Sequence, residues 1–481
     1  MRGLVWFRRD LRLRDQPALT AACEACSEVI PLFVFDDPLL QSHLFGSACV
    51  NFMLGFLQDL TASLAGRSLV LQWRRGKPEE EVLRAAREWK VDVVYWNRDY
   101  EPRAVERDRV IAQRLVQAGV AVRSFKDHVV FEAEEVLGAT GKPLQRYSAY
   151  RAQWWTKWQS TKPPVLPIPK SLATEKALCL PSPRPIPTAG ELGYQLVTPW
   201  IEPGERSARK RLDWFVEGPI HTYIKGRNLP ALDGSSRLSP HFRFGTLSSR
   251  MAIHAALAAL AKGGRVSRAD VLMWIDELVW REFFQQVLSA FPRVVEGPFR
   301  NVAVPPVREA GLERDRLFQA WCDGKTGYSI VDAGMRQLNR TGWTPNRVRM
   351  IVASFLIKDL RIYWQSGENY FMHHLLDADV AANNGNWQWC ASTGTDAMRG
   401  YRIFNPSLQS KKFDPDGVYI REYVPELAAV PGKWIHEPHR MPHDEQVSIG
   451  CRIGTEYPLP VVEHSQVRKE YLELGKQQVT R

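Results

Sequence analysis

The densest chemistry in the chain lies between Asp377 and Cys390, in the order Asp-Ala-Asp-Val-Ala-Ala-Asn-Asn-Gly-Asn-Trp-Gln-Trp-Cys. Two carboxylates, Asp377 and Asp379, precede the amides Asn383, Asn384, Asn386 and Gln388 and the indoles Trp387 and Trp389. In a helix, residues two apart point about 200° apart and residues four apart share a face. Asn383 and Trp387 therefore look one way and Trp389 roughly the other. One face can line an interior ligand while the other opens on a cavity. The same pattern also suits a buried helix with capping aspartates and two core tryptophans.

Three other stretches carry reactive or recognising groups. Tyr223 precedes Ser235-Ser236-Arg237-Leu238-Ser239-Pro240. Hydroxyls with an arginine, entering a helix, offer donors for a diphosphate, or make an ordinary capped turn. Glu277, Trp280 and Arg281 sit at i, i+3 and i+4 of a helical pattern. They are either an ion pair worth about 0.2–0.5 kcal/mol beside a core indole, or a pocket in which Trp280 stacks on a base while Glu277 bonds its edge. In Asn346-Arg347-Val348-Arg349-Met350, Asn346 and Met350 share a face and the arginines diverge from it.

The elements that must hold these groups follow from patterning. Apolar runs at 3–8, 28–35, 68–73, 92–97 and 120–125 alternate with helical patterns at 17–26, 48–65, 78–90 and 103–118. That alternation predicts a five-stranded parallel, Rossmann-like sheet with helices on both faces. It lacks G-x-G-x-x-G and the Walker pattern, so the usual dinucleotide and triphosphate modes are excluded. Ten of the 32 prolines fall in 163–203, which predicts an extended connector. Helical periodicity fills the rest, at 249–262, 268–290, 329–340, 346–365 and 367–377. The expected division is 1–130, an α/β domain; 131–203, a connector; and 204–481, a larger all-α domain.

The 481 residues are 44% hydrophobic and 24% charged, ordinary for a globular protein, with 17 tryptophans. A formal charge of +11 favours an anionic partner, nucleic acid first. No apolar run of about 18 residues appears, and no cleavable leader precedes the first strand, so an intracellular protein is expected. Seven scattered cysteines, with one C-x-x-C at Cys23 and Cys26, read as reduced thiols and not as a metal site.

The Asp377–Trp389 segment closely resembles the flavin-binding signature of the photolyase/cryptochrome family. Its Trp-Gln-Trp ending resembles the class I branch that repairs cyclobutane pyrimidine dimers. Trp6-Phe7-Arg8-Arg9-Asp10-Leu11-Arg12-Leu13-Arg14-Asp15 resembles the family's N-terminal signature, and Ser235–Pro240 its flavin-phosphate motif, with Ser235 for the usual threonine. The resemblance implies reduced FAD held by Tyr223, Ser235, Ser236, Leu238, Ser239, Arg281, Arg349, Asp377, Asp379 and Asn383. It implies a lesion pocket of Glu277, Trp280, Asn346, Met350 and Trp389. It also implies an electron relay through Trp387 and Trp364, and DNA contacts at Arg347, Arg402, Gln409 and Lys412.

Further expectations come with it. The α/β domain would carry a second antenna chromophore, a deazaflavin, folate or flavin. Ala104 stands where folate-binding relatives usually place a carboxylate. Asn383 beside the flavin tolerates an anionic reduced ring, which an ionised aspartate would repel; plant-type cryptochromes have aspartate there. Segment 301–311, where the family's terminal relay tryptophan usually lies, has neither Trp nor Tyr. The implied partner is UV-damaged DNA, bound by a monomer without membrane contact. The alternatives are a cryptochrome-like photoreceptor, a (6-4) photolyase, which Asn346-Arg347 disfavours, and a light-independent DNA-binding flavoprotein.

Overall fold

The computed structural model describes residues 1–42, 44–170, 184–261, 267–300, 302, 305–397 and 402–479. Part of the expected connector, 171–183, and Asn301, Ala303 and Val304 lie outside the described residues. The chain packs as two compact units. The first comprises Met1–His221, Ser236–Pro292 and Leu376–Ala382; the second comprises Thr222–Ser235, Arg293–Leu375 and Asn383–Arg481.

In the first unit, β1 (Arg2–Phe7), β2 (Glu28–Asp36), β3 (Gln72–Gly76), β4 (Val93–Asn97) and β5 (Ala121–Phe125) pair in the order β3-β2-β1-β4-β5. Every pairing is parallel. Leu4, Trp6, Ile30, Leu32, Val34, Val94 and Trp96 bury against Val82 and Ala85 of helix Pro78–Glu88 and Ile111 and Leu115 of helix Pro102–Gln117. Central strands covered on both faces need continuous apolar runs, which β1, β2 and β4 supply. The expected α/β class is the one observed.

The third strand starts four residues later than its apolar run. Ser68 turns at φ +61° and the Leu69 amide bonds back to Leu64 O at 3.1 Å. Leu69 and Leu71 are buried before pairing begins, so the strand itself is the polar Gln-Trp-Arg-Arg-Gly, at the sheet edge. Helix Ser47–Ala65 is long and apolar enough by composition to cross a bilayer. Its Phe52 and Phe56 pack instead on His241 and Phe244, with ring centroids 5.3–6.4 Å apart.

A buried charge cluster clamps the segment after β1. Asp127 accepts from Arg12 at 2.5 Å and from Arg250 at 2.7 Å, and Arg250 also meets Asp15 at 3.0 Å. Burial pushes the Asp127 carboxyl up, but the two guanidiniums overcome that and hold it below its ordinary range. Close by, Gly245 adopts φ +64°, and a Cβ there would stand 2.0 Å from Arg9 O. Only glycine permits that approach.

The second unit is helical, with Leu312–Cys322, Ser329–Thr341, Asn346–Ser354, Trp364–His374, Pro406–Phe413, Val418–Tyr423 and His464–Val479 as its main elements. The single helix expected over 346–365 is broken. Residues Phe355–Asp359 widen into a π-turn, Leu360 N bonds Phe355 O at 3.0 Å, and Arg361 follows at φ +52°. Periodicity alone does not reveal one inserted residue per turn.

Removing one partner from a buried ion cluster strands the others. Asp127→Ala is expected to cost about 3–5 kcal/mol of stability, read as a lowered midpoint in urea denaturation.

Candidate functional site

Helix Arg268–Ala290 in the first unit starts at Ser267, whose hydroxyl caps Asp270 N. Its helical spacing carries Glu277, Trp280 and Arg281. The Trp280 indole lies parallel to Tyr147, 3.5 Å between ring centroids and 9° between planes, with Phe283 and Phe284 about its edges. Tyr147 is fixed in turn, its hydroxyl donating to Asp276 O at 2.9 Å. A tryptophan already stacked on one face and half-buried is a rigid wall for a planar ligand.

Arg281 turns toward His128, donating to its carbonyl at 2.9 Å. Burial lowers the Arg281 pKa to about 10 against the pull of Asp379. Asp379 is the centre of this cluster. It accepts from Arg9, from Gln285 Nε2 at 3.1 Å and from Ala382 N at 3.0 Å. Burial opposes its ionisation, but Arg9, His128 and Arg281 hold its carboxyl well below the ordinary range. Asp377 is buried two residues earlier. Neighbouring Gln286 buries both its amide nitrogen and its oxygen without a partner among the described residues.

Also in the first unit, Arg237 adopts φ +52° and Ser236 O accepts from Arg211 at 2.8 Å. Leu238 is buried, while Ser236 is half-buried and Ser239, the first residue of helix Ser239–Phe244, is exposed.

Helix Val380–Ala391 carries the amides and indoles into the second unit. Asn383 Nδ2 donates to Glu368 O at 3.0 Å and lies 3.7 Å from Met372 Sδ. Asn384 and Gln388 are fasteners: both amides donate to Val294 O at 3.0 Å, and Gln388 Oε1 accepts from Phe299 N at 2.8 Å. Trp387 is buried and Trp389 half-buried, as the helical spacing predicts. A Cβ on Gly367 would stand 2.2 Å from Trp387 Cη2, so the helix Trp364–His374 meets the indole without room for a side chain.

Tyr223, the one aromatic residue of the expected flavin set, is buried with Arg227 5.3 Å over its ring. Ser235 is half-buried. Pro345 caps helix Asn346–Ser354, and Asn346 and Met350 follow one turn apart, exposed and half-buried respectively. Arg349 donates to Thr344 O at 2.8 Å. Trp364 is buried.

The four expected DNA-contacting residues of this unit come together. Arg347, Arg402, Gln409 and Lys412 line one groove of about 660 Å³, with Phe404, Asn405, Arg468 and Lys469. Arg347 is held by Asn228 Oδ1 at 2.9 Å and by the Phe413 ring, 4.5 Å away. Burial, then Arg227 and Arg402, lower its pKa. Such crowded guanidiniums favour an anion between them.

Sequence reasoning missed Arg9, His128, Gln285, Arg468 and Lys469. Arg9 stood in the N-terminal signature and Arg468-Lys469 in a charged helix, which were available signals. His128 and Gln285 carried none.

Glu368, which accepts from Asn384 Nδ2 at 2.9 Å, is pushed up to about 7 by burial. Its ordinary value is 4.5, so the folded protein binds more protons than the unfolded chain between those values. That contribution to stability is complete below the lower value and is lost as pH rises through the upper one. Glu368→Gln is therefore expected to flatten the decline in stability between pH 4.5 and about 7, measured by denaturation at a series of pH values.

Comparison with known proteins agrees over nearly the full length. Residues 274–477 match the FAD binding domain of DNA photolyase, and residues 3–170 match DNA photolyase. The deoxyribodipyrimidine photo-lyase of Synechococcus sp. is 40% identical, over 98% of this chain and 96% of its own. A bacterial class III photolyase from Agrobacterium tumefaciens superposes with a TM-score of 0.89 at 35% identity, covering 100% of this chain and 98% of that one. The cryptochrome of Synechocystis sp. PCC6803 gives 0.88 at 29%, covering 98% and 99%. The chain belongs to the DNA photolyase family.

Proposed function

We propose that the chain is a light-driven DNA repair enzyme that splits cyclobutane pyrimidine dimers, a carbon–carbon lyase. The observation that carries the reading is the groove in which Arg347, Arg402 and Lys412 stand with Gln409, in a chain that also has a flavin domain. Crowded cations of this kind suit a phosphate backbone and give salt-sensitive affinity without sequence choice.

FAD fits the donor set. Gln286 offers an unpartnered buried donor and acceptor, and a set of hydroxyls with arginines suits a diphosphate. Tyr223, Ser235, Ser236, Leu238, Ser239, Arg281, Arg349, Asp377, Asp379 and Asn383 would hold it. When bound and reduced, FAD supplies the photoexcited electron that opens the cyclobutane ring. The chain's residues supply position. The dimer leaves the base stack, Trp280 and Trp389 wall it, and Asn346 and Met350 line its pocket. Glu277 hydrogen-bonds its edge and, where protonated, donates to the negative charge that develops there. Asn383, a neutral amide, tolerates negative charge on the neighbouring ring. Trp387 would pass electrons toward the flavin, and Trp364 is the second relay that the family resemblance implies.

Residues 1–130 would form the antenna-binding domain, with a deazaflavin, folate or flavin as second chromophore; 131–203 the connector; and 204–481 the flavin domain. The protein would act as a monomer on DNA inside the cell, away from membranes.

Dimer-containing DNA illuminated with blue or near-UV light and reduced protein should regain intact thymines, with none regained in the dark. Glu277→Ala should lower that repair yield while bound FAD, read by absorbance, stays constant; an unchanged yield refutes its role. Arg347→Ala should weaken damaged and undamaged DNA alike and reduce the slope of log K against log salt by about one, measured by titration at several salt concentrations.

A further inference from the structure

The proposed relay needs an end at the protein surface, and segment 301–311 offers no aromatic one. The second unit provides another way out. Among the described residues, the ring contacts of Trp387 are with Phe371, 5.2 Å away, and Trp321, 6.3 Å away at 72°. Trp321 is fully buried. Its ring in turn lies 5.5 Å from Tyr370, edge to face. Tyr370 is half-buried, stacked 3.9 Å from His374. Its hydroxyl donates to Asn339 Oδ1 at 2.8 Å and to Cys322 O at 3.1 Å. Asn339 is exposed. The three rings thus form a line of contacts, each within the range of packed aromatic pairs, from the interior to water.

The electrostatics favour this line over Trp364. An indole that gives up an electron becomes a cation, and burying an uncompensated charge is costly. Trp321 Nε1 donates to Val352 O at 3.0 Å, a hydrogen bond that strengthens when the indole is positive. Trp364 Nε1 is buried without a protein acceptor among the described residues. Trp364 does touch the exposed Tyr363, ring centroids 5.8 Å apart, which makes Tyr363 the rival terminus.

We propose that Trp321 and Tyr370 complete the electron supply to the flavin, with Tyr370 as the terminal donor. The proposal rests on the reading of the chain as a flavin photoenzyme. One electron passes from Trp387 to light-excited, not yet fully reduced FAD. Trp321 refills Trp387, and Tyr370 refills Trp321. Tyr370 releases its phenolic proton to water at Asn339 and is left as a neutral tyrosyl radical. A thiol reductant in solution returns one electron and one proton to Tyr370. The net result is one electron gained by the flavin, one proton gained by the solvent, and one electron and one proton lost by the thiol, which is left as a thiyl radical.

The test uses the full chain loaded with oxidised FAD and illuminated without and with thiol. Electron paramagnetic resonance is recorded on protein carrying ring-deuterated tyrosine, beside the flavin absorbance. The unsubstituted protein is expected to give a deuterium-sensitive tyrosyl signal. Tyr370→Phe, which keeps the ring packing, should lose that signal and slow light-driven flavin reduction. Trp321→Phe should do the same, and Tyr363→Phe should leave both unchanged. A signal that survives Tyr370→Phe and vanishes in Tyr363→Phe overturns the proposal in favour of Trp364. Absence of any tyrosyl signal in the unsubstituted protein also overturns it. Each variant is also reduced chemically and assayed for dimer repair in light. Repair should persist in all of them, because chemical reduction bypasses the relay. Failure of the chemically reduced unsubstituted protein to repair would sink the photoenzyme reading itself, independently of the radical measurement.

Discussion

The ionised carboxylate of Asp379 is the constraint on which the site's register depends. Taking a carboxylate out of water is expensive, and it is tolerated here because Arg9, Gln285 and a helix N-terminus all donate to it. The last of these fixes where helix Val380–Ala391 begins. Every residue further along that helix takes its direction from the start, at about 100° per residue. Asn383 falls against the carbonyl of Glu368, and Trp387 falls over Gly367. Arg9 comes from the segment just after the first strand, so the C-terminal end of β1 supplies one of the groups that hold Asp379 ionised.

A second constraint is positive charge. Arg227 and Arg402 crowd Arg347, which is steadied by a neutral amide and an aromatic face. Like charges brought this close favour an anion between them.

Much of this was legible beforehand, for reasons that differ by element. Parallel strands covered on both faces must be apolar throughout, so β1, β2 and β4 announce themselves. The edge strand does not, because β3 is polar and its apolar neighbours Leu69 and Leu71 bury elsewhere. Helical spacing separated Trp387 from Trp389 correctly, since that depends only on local geometry. It was blind to the π-turn at Phe355–Asp359 and to the division of labour among the amides. Asn384 and Gln388 look like ligand groups in sequence, yet both fasten the Val294–Phe299 segment. His128 and Gln285 were invisible because their importance comes only from distant charges brought to them.

The π-turn does more than interrupt a helix. It places Lys358 fully inside, where its ammonium donates to Arg402 O at 2.8 Å. Burial lowers the Lys358 pKa to about 8. The basic wall of the groove is therefore propped from behind by a residue that never meets solvent. An ordinary α-helical turn would rotate the lysine by about 100° per residue of slippage, so the widened turn works as a spacer. Loss of a single residue from Phe355–Asp359 would release Arg402 without altering any side chain in the groove. The length of this turn thus helps decide where the Arg402 backbone stands.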